Sequence, residues 1–287
     1  MAQIISVTSP NRNLKPETAN TLTAGVVATP TILPGFAASF DYWDIKLKGS
    51  IGSVGTQETV EFCYVGYSQF CPNIVFSGPV PVNILRQPVN FASQHTKGFD
   101  IEASYRTQLA AISANLPGTQ TIHATATHAI KSVVDNLVFP VDYAGVVGDG
   151  VWLGSAAAMP RWGYRVSTSF DVDPFSVNVV ARGVSSGVYS NEWFECTSTC
   201  PTSTILSRTV NQNDVPGATY FDIATSVKMR SFGGETELSF VVHNVFNKNP
   251  ALVGIDPYSS GVPNPQTVSP LYDPLGRVFR VAITSKF

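Results

Sequence analysis

The sequence is poor in charge, poor in cysteine and without any long apolar run. Charged residues make up only 13% of the 287, about half the usual share of a soluble globular domain. The 18 Lys and Arg nearly balance the 20 Asp and Glu, so the formal net charge is −2. With no basic field to steer a polyanion, a nucleic-acid partner is excluded. No stretch of about 18 uninterrupted apolar residues occurs, and no transmembrane helix is predicted. No Leu/Ala/Glu/Lys-rich segment is long enough for a helical domain, whereas 22 Gly and 20 Pro mark many turns. Residues 1–10 lack the basic and apolar regions of an export signal. The four cysteines nevertheless form two tight local pairs, Cys63 with Cys71 and Cys196 with Cys200, in Ser/Thr/Tyr/Gly-rich segments. Such pairs read as disulfides of an oxidising compartment. Four free thiols are the competing reading, and a zinc site lacks the second knuckle or spaced His pair it needs. An exported chain without its signal is therefore expected.

What the sequence does hold is alternation. In Phe99-Asp-Ile-Glu-Ala-Ser-Tyr-Arg106 the apolar set Phe99, Ile101, Ala103 and Tyr105 interleaves with Asp100, Glu102, Ser104 and Arg106. A strand sends these two sets to opposite faces. Residues 161–170 repeat the pattern, and after a turn at 171–174 so do Phe175, Val177, Val179 and Ala181 against Ser176, Asn178 and Arg182. These two segments are predicted to form a hairpin. The same test gives about nine strands, near 18–29, 36–48, 94–108, 118–131, 160–171, 174–188, 217–230, 235–247 and 275–287. A change of phase between Tyr42 and Trp43 predicts a bulge there, or a strand running beyond its buried zone. Segment 75–91 is a candidate for a further short hairpin, demoted by Pro79, Pro81 and Pro88.

The connections alternate in length. Those near 30–35, 109–117, 171–174 and 231–235 are short; those near 49–93, 132–159, 189–216 and 248–274 are long and hold both cysteine pairs. The pattern fits an antiparallel up-and-down transmembrane β-barrel segment, with short periplasmic turns and long extracellular loops. Lipid supplies the cause. Backbone polar groups in hydrocarbon must pair within the protein, and a Lys or Arg on the lipid face near the midplane costs about 2–4 kcal/mol. Tyr42, Tyr105, Trp162, Tyr164, Tyr220 and Phe287 fall near strand ends, where interfacial aromatic girdles are expected.

Particular strings then resemble the C-terminal barrel of TonB-dependent outer-membrane receptors. They are Asn13-Leu-Lys-Pro-Glu-Thr18, Leu33-Pro-Gly35, Asp41-Tyr-Trp-Asp-Ile-Lys46, Gly98-Phe-Asp-Ile-Glu-Ala-Ser-Tyr-Arg106, Asn244-Val-Phe-Asn-Lys-Asn-Pro250 and Tyr272-Asp-Pro-Leu-Gly-Arg-Val-Phe-Arg280, in the family's order. The resemblance spans residues 11–287 and implies uptake of a scarce nutrient such as a siderophore, a sugar or a vitamin across the outer membrane of a Gram-negative bacterium. It also implies three kinds of partner: outer-membrane lipid, the barrel-assembly machinery, and TonB acting through a plug. Neither plug nor TonB box is found in this sequence, so residues 1–287 are expected to be a barrel fragment with Met1 at an internal boundary. The terminal residues Phe279, Val281, Ile283 and Phe287 resemble the alternating signal read during barrel assembly, although Ser285 departs from its apolar pattern. A self-contained passive pore and a secreted β-sandwich binding protein are the rival readings.

The chemistry-bearing residues point away from catalysis. Gly183-Val-Ser-Ser-Gly187 matches a nucleophile elbow in letters, but Ser185 ends a predicted strand rather than opening a helix. Asp100 and Glu102 share one strand face and are expected to pair with Arg106 or a neighbouring strand in a barrel lumen. His123 and His128, five apart, fall on opposite faces, and His95 and His243 stand alone, so no metal or cofactor site is expected. Loop aromatics Tyr64, Tyr67, Phe70, Trp152, Trp193 and Phe194 are candidates to stack on a ligand, with local loop packing as their competing use.

Overall fold

A computed structural model describes residues 4–90, 93–111, 116–135, 138–148, 159–204, 206–231, 234–253 and 266–286. Nine long strands among them form one antiparallel sheet in chain order: β1 Thr18–Ala28, β2 Phe36–Lys48, β3 Ser93–Gln108, β4 Thr119–Asp135, β5 Trp162–Val172, β6 Phe175–Val184, β7 Ala218–Ser231, β8 Gly234–His243 and β9 Val278–Lys286. A short strand, Pro140–Asp142, adds to the end of β4. Each long strand pairs with its sequence neighbours, and β1 and β9 do not pair with each other, so the barrel is not closed.

Register fixes the faces. Rows such as Phe40↔Ile101, Tyr105↔Ile122, Val166↔Ala181, Ala181↔Phe221, Thr225↔Phe240 and Phe240↔Val281 run continuously across the sheet. They make one face aliphatic and aromatic, and it remains open: Ile283 is 71% exposed and Val26 62%. The opposite face carries Asp41, Asp100, Glu102, Arg165, Asp222, Lys228, Glu237 and Arg280. Because the side-chain period is two, a one-residue slip would turn this whole charged set onto the apolar face.

The compact apolar packing lies in the long loops. One buried cluster joins Val147, Val215, Tyr220, Val253 and Tyr272; a second joins Val134, Val141, Tyr143 and Val146; a third joins Val54, Phe62 and Phe70. Val188 and Phe139 pack at the margins of the second, and Phe139 and Leu206 reach the third, so segments from three loops interlock. The loop after β2 contains helix α1, Thr56–Tyr64, which no sequence pattern suggested. It also contains the hairpin Ile74–Ser77/Val80–Arg86 that the prolines argued against. Pro79 occupies its turn, and Pro81 lies before the stretch from Asn83 that pairs in parallel with Ile5–Thr8, so neither interrupts that ladder.

Two further points concern local geometry. The phase change at Tyr42/Trp43 is not a bulge: β2 keeps unbroken register with both neighbours and runs beyond the lipid-facing zone. The register shift occurs at Lys97/Gly98 of β3, where Ile130 of β4 is the extra residue. Tyr220, expected in the aromatic girdle, shares its face with Asp222 and is 1% exposed beneath the first loop cluster. Alternation within β7 decides this, and the nearness of a strand end does not.

Gly98 sits where a β-carbon would press into the His128 carbonyl oxygen and the Trp43 ring, whereas Gly163 meets nothing nearby. Gly98→Ala should therefore lower the stability of the detergent-folded chain by about 1–3 kcal/mol, the usual cost of overpacking. Gly163→Ala should leave it nearly unchanged, with urea unfolding as the measurement.

Candidate functional site

The long-loop end of the sheet gathers the groups able to meet a ligand. On its polar face Asp100 accepts hydrogen bonds from Trp43 Nε1 at 3.1 Å and Thr127 Oγ1 at 2.6 Å. Glu102 pairs with His123 Nε2 at 2.9 Å on the neighbouring strand. Both carboxylates are thus engaged across strands, and Arg106 is not the partner. Each has a structural use, so they do not form a free acid–base pair.

The densest polar constellation lies between β6, β7 and the loop that precedes β9. Arg182 donates from Nε to Asp222 at 2.9 Å and from an Nη to Asp273 at 3.0 Å. Asp222 also accepts the backbone N–H of Asn244 at 2.9 Å, and His243 Nδ1 lies 3.7 Å from it. The guanidinium carbon stands 5.2 Å from the Tyr220 ring centroid. Beside Asp273, Tyr272 is buried and donates to the Pro216 carbonyl at 3.1 Å. Burial pushes its hydroxyl pKa up to about 12, with the Tyr220 hydroxyl adding to the shift. The arrangement latches the last long loop onto the rim of the sheet. Alternation puts Arg182 on the polar face and the Tyr272-Asp273 string precedes β9, but nothing in the sequence brings the two together. They are separated by about ninety residues, a distance no periodicity spans.

The remaining candidates divide. Cys63 bridges to Cys71 and Cys196 to Cys200, with Cα separations of 4.9 and 5.6 Å. Tyr67 packs edge-on against Phe62, Phe70 is buried in the third loop cluster, and Trp193 stacks on Tyr189 with centroids 5.9 Å apart. Tyr64, at 80%, and Phe194, at 53%, remain exposed. Trp152 and Phe287 lie outside the described residues. Phe279, Val281 and Ile283 project from β9 on the apolar face. Ser185 hydrogen-bonds the Trp162 backbone through both its N–H and its hydroxyl, and no helix follows it. His123 and His128 take opposite faces, the first toward Glu102 and the second against Phe99 and Trp162. Among the described residues no group of three His, Cys, Asp or Glu is placed to hold a metal ion, and no helix is long and apolar enough to cross a membrane. A cavity of about 200 Å³ between α1 and the loop hairpin, lined by Val54, Thr59, Phe70 and Leu85, is smaller than sites that enclose a drug-sized molecule.

Comparison with known proteins matches residues 1–245 to the family model described as TonB dependent receptor-like, beta-barrel. The chain belongs to that family. Its members are transporters and receptors of the Gram-negative outer membrane, not enzymes. Solved structures share the fold at low identity. The FrpB iron transporter of Neisseria meningitidis is 17% identical with a TM-score of 0.54, over 96% of this chain and 32% of its own. A ferric enterobactin receptor of Pseudomonas aeruginosa is 14% identical with a TM-score of 0.58, over 98% and 33%. The siderophore receptor PirA of Acinetobacter baumannii is 12% identical with a TM-score of 0.55, over 98% and 33%. The chain thus spans about a third of the length of these receptors. No curated protein matches by sequence.

Two outcomes follow from the TonB-family loop cap. Replacing Asp273 with Asn should release the latch at a cost of about 1–3 kcal/mol, since the pair is only partly buried. Limited proteolysis should then cut within 266–277 sooner while the strands stay intact. Glu192, desolvated in the loops, has its pKa pushed up to about 7, and burial also raises that of Glu58. A carboxyl whose folded pKa is raised binds more protons folded than unfolded, so its contribution weakens as pH climbs from about 4.5 toward 7. Hydrogen exchange of residues 189–213 should accordingly be faster at pH 7.5 than at pH 5 after correction for intrinsic rates. Glu192→Gln should reduce that difference.

Proposed function

We propose that this chain is the C-terminal barrel segment of an outer-membrane TonB-dependent receptor that imports a scarce nutrient of the siderophore, sugar or vitamin class. The observation that carries the reading is the interlocked loop cap standing at one end of a sheet with an apolar outer face and a charged inner one. Such a cap offers exposed aromatics, Tyr64 and Phe194, for capture, while the inner face lines a polar path. The receptors that share the fold take iron, ferric enterobactin and a siderophore by name, which favours ferric chelates among the three classes. Import in this reading is binding followed by conformational change, with TonB acting through a plug supplied by the rest of the receptor. No covalent bond is made or broken.

The test is accumulation of a panel of ferric siderophores, oligosaccharides and corrinoids by cells carrying the full-length receptor, with and without TonB. One compound should accumulate only when TonB is present, and deleting residues 192–212 should abolish that uptake while surface levels persist. Accumulation indifferent to TonB would favour a passive pore. The same reading gives the end of β9 an assembly role: removing Phe287 should lower the amount of receptor in the outer membrane severalfold, whereas Ser185→Ala should leave it unchanged, as read by surface immunolabelling.

A further inference from the structure

The apolar face of the sheet ends, toward the long loops, in a row of rings set in direct register on four strands. Tyr42 of β2 faces Phe99 of β3, Phe99 faces His128 of β4, and His128 faces Trp162 of β5. Ring centroids lie 5.0 Å apart for Phe99 and His128 and 4.3 Å apart for His128 and Trp162. His128 Nδ1 is buried there without a hydrogen-bond partner. One residue pair further out, about 7 Å along the strands, the same face changes character. Asp44 faces Lys97, and Lys97, beyond the register shift, faces Lys131. The next row holds Lys46 opposite His95, and Lys48 follows at the end of β2.

The carboxylates that share these rows are engaged elsewhere: Asp44 Oδ1 lies 3.0 Å from His95 Nε2, and Asp142, opposite Val133 in the Lys46 row, accepts the backbone N–H groups of Ser132 and Ala144. Among the described residues none of Lys46, Lys48, Lys97 and Lys131 forms an ion pair. Lys97 and Lys131 are direct cross-strand neighbours, a like-charge arrangement that destabilises a sheet. Four uncompensated lysines across three strands therefore call for an anion from outside the chain. They sit immediately above an aromatic row and an uncharged, lipid-facing surface, at the height where headgroups meet hydrocarbon, and lysine stems of this length reach along such a boundary.

We infer that the outward face of β2, β3 and β4 docks a phosphate-bearing lipid headgroup of the outer leaflet, its phosphates held by Lys46, Lys97 and Lys131 and its apolar portion lying on Tyr42, Phe99 and Trp162. The inference rests on the outer-membrane reading above and on nothing about the imported nutrient. A soluble phosphate would find the same charges but no use for the ring row or the aliphatic face below it, which is why the lipid is the occupant.

The test uses the full chain in dodecylmaltoside micelles. The probes are an acylated glucosamine disaccharide carrying two phosphates and the same lipid with both phosphates removed, with binding read by native mass spectrometry. The phosphorylated form should bind at least tenfold more tightly, and Lys46→Gln/Lys97→Gln/Lys131→Gln should weaken it by about tenfold or more. The control Lys15→Gln/Lys228→Gln/Lys248→Gln, with equal loss of charge, should leave it unmoved. Equal binding of the two lipids, an unaffected triple variant, or an equal loss in the control would overturn the proposal. So would displacement of the lipid by inorganic phosphate at matched phosphate concentration. Should the triple variant fail to fold, Lys97→Gln alone decides: it relieves the like-charge pair, so stability should hold or rise while lipid binding falls. Since the assay involves no transport, its failure would leave the import reading standing, and failure of TonB-dependent uptake would leave this one standing.

Discussion

The constraint on which the rest depends is the backbone hydrogen bond in hydrocarbon. A peptide N–H or C=O facing lipid finds no water, and leaving it unmet costs several kcal/mol. A strand ladder answers this by pairing each strand with its neighbours over its whole length, as the eight consecutive antiparallel pairings do here. Once the ladder is fixed, the period of two hands alternate residues to two different solvents. The sequence's shortage of charge follows, because half of every spanning strand must be uncharged. Below the lysine rows the charges Asp100, Glu102, Arg182 and Asp222 fall on the other face, where each of the four finds a partner across strands.

A sheet that gives one face to lipid and lines a polar interior with the other has no place for an ordinary hydrophobic core. The core moves into the loops. Val147, Val215, Val253 and Tyr272 are as deeply buried as the center of a soluble domain, yet they belong to connections and not to spanning strands. Long unstructured connections would carry a large ordering cost at each binding event; packed loops bridged at Cys63–Cys71 and Cys196–Cys200 have met that cost in advance. The Arg182–Asp222–Asp273 cluster then ties this packed layer to the rim. In the proposed function, recognition and membrane anchoring would draw on separate parts of the same chain, so that a loop can change without disturbing the ladder beneath it.

How much of this was legible depends on the range of the signal. All nine strands are legible within a few residues, because alternation is a local signal carried by each strand alone. The cysteine pairing was legible for the same reason of proximity. Helix α1 was not: its nine residues carry no apolar stripe of their own, and Phe62 is held by Phe70, Tyr67 and residues of two other loops. The hairpin at 74–86 is only a demoted expectation in the sequence, because prolines alone do not tell which amides face a partner. Tyr220 was assigned to the girdle by its place near a strand end, when its step relative to Asp222 already turned it inward. The latch and the lysine rows were beyond reach, since each depends on pairings between strands that only register supplies.

One property of the sheet has a consequence of symmetry. Eight antiparallel steps carry the chain from β1 to β9, so its two outermost strands run in the same direction. They cannot join each other to continue the alternating ladder, and a second copy inserted with the same sidedness presents the same mismatch, parallel against parallel. Only a segment that itself crosses an odd number of times can bring oppositely directed strands to both rims at once. The sheet thus discriminates among partners by handedness of travel before any side chain is consulted: a complement with an even number of crossings is refused at one seam, whatever its sequence.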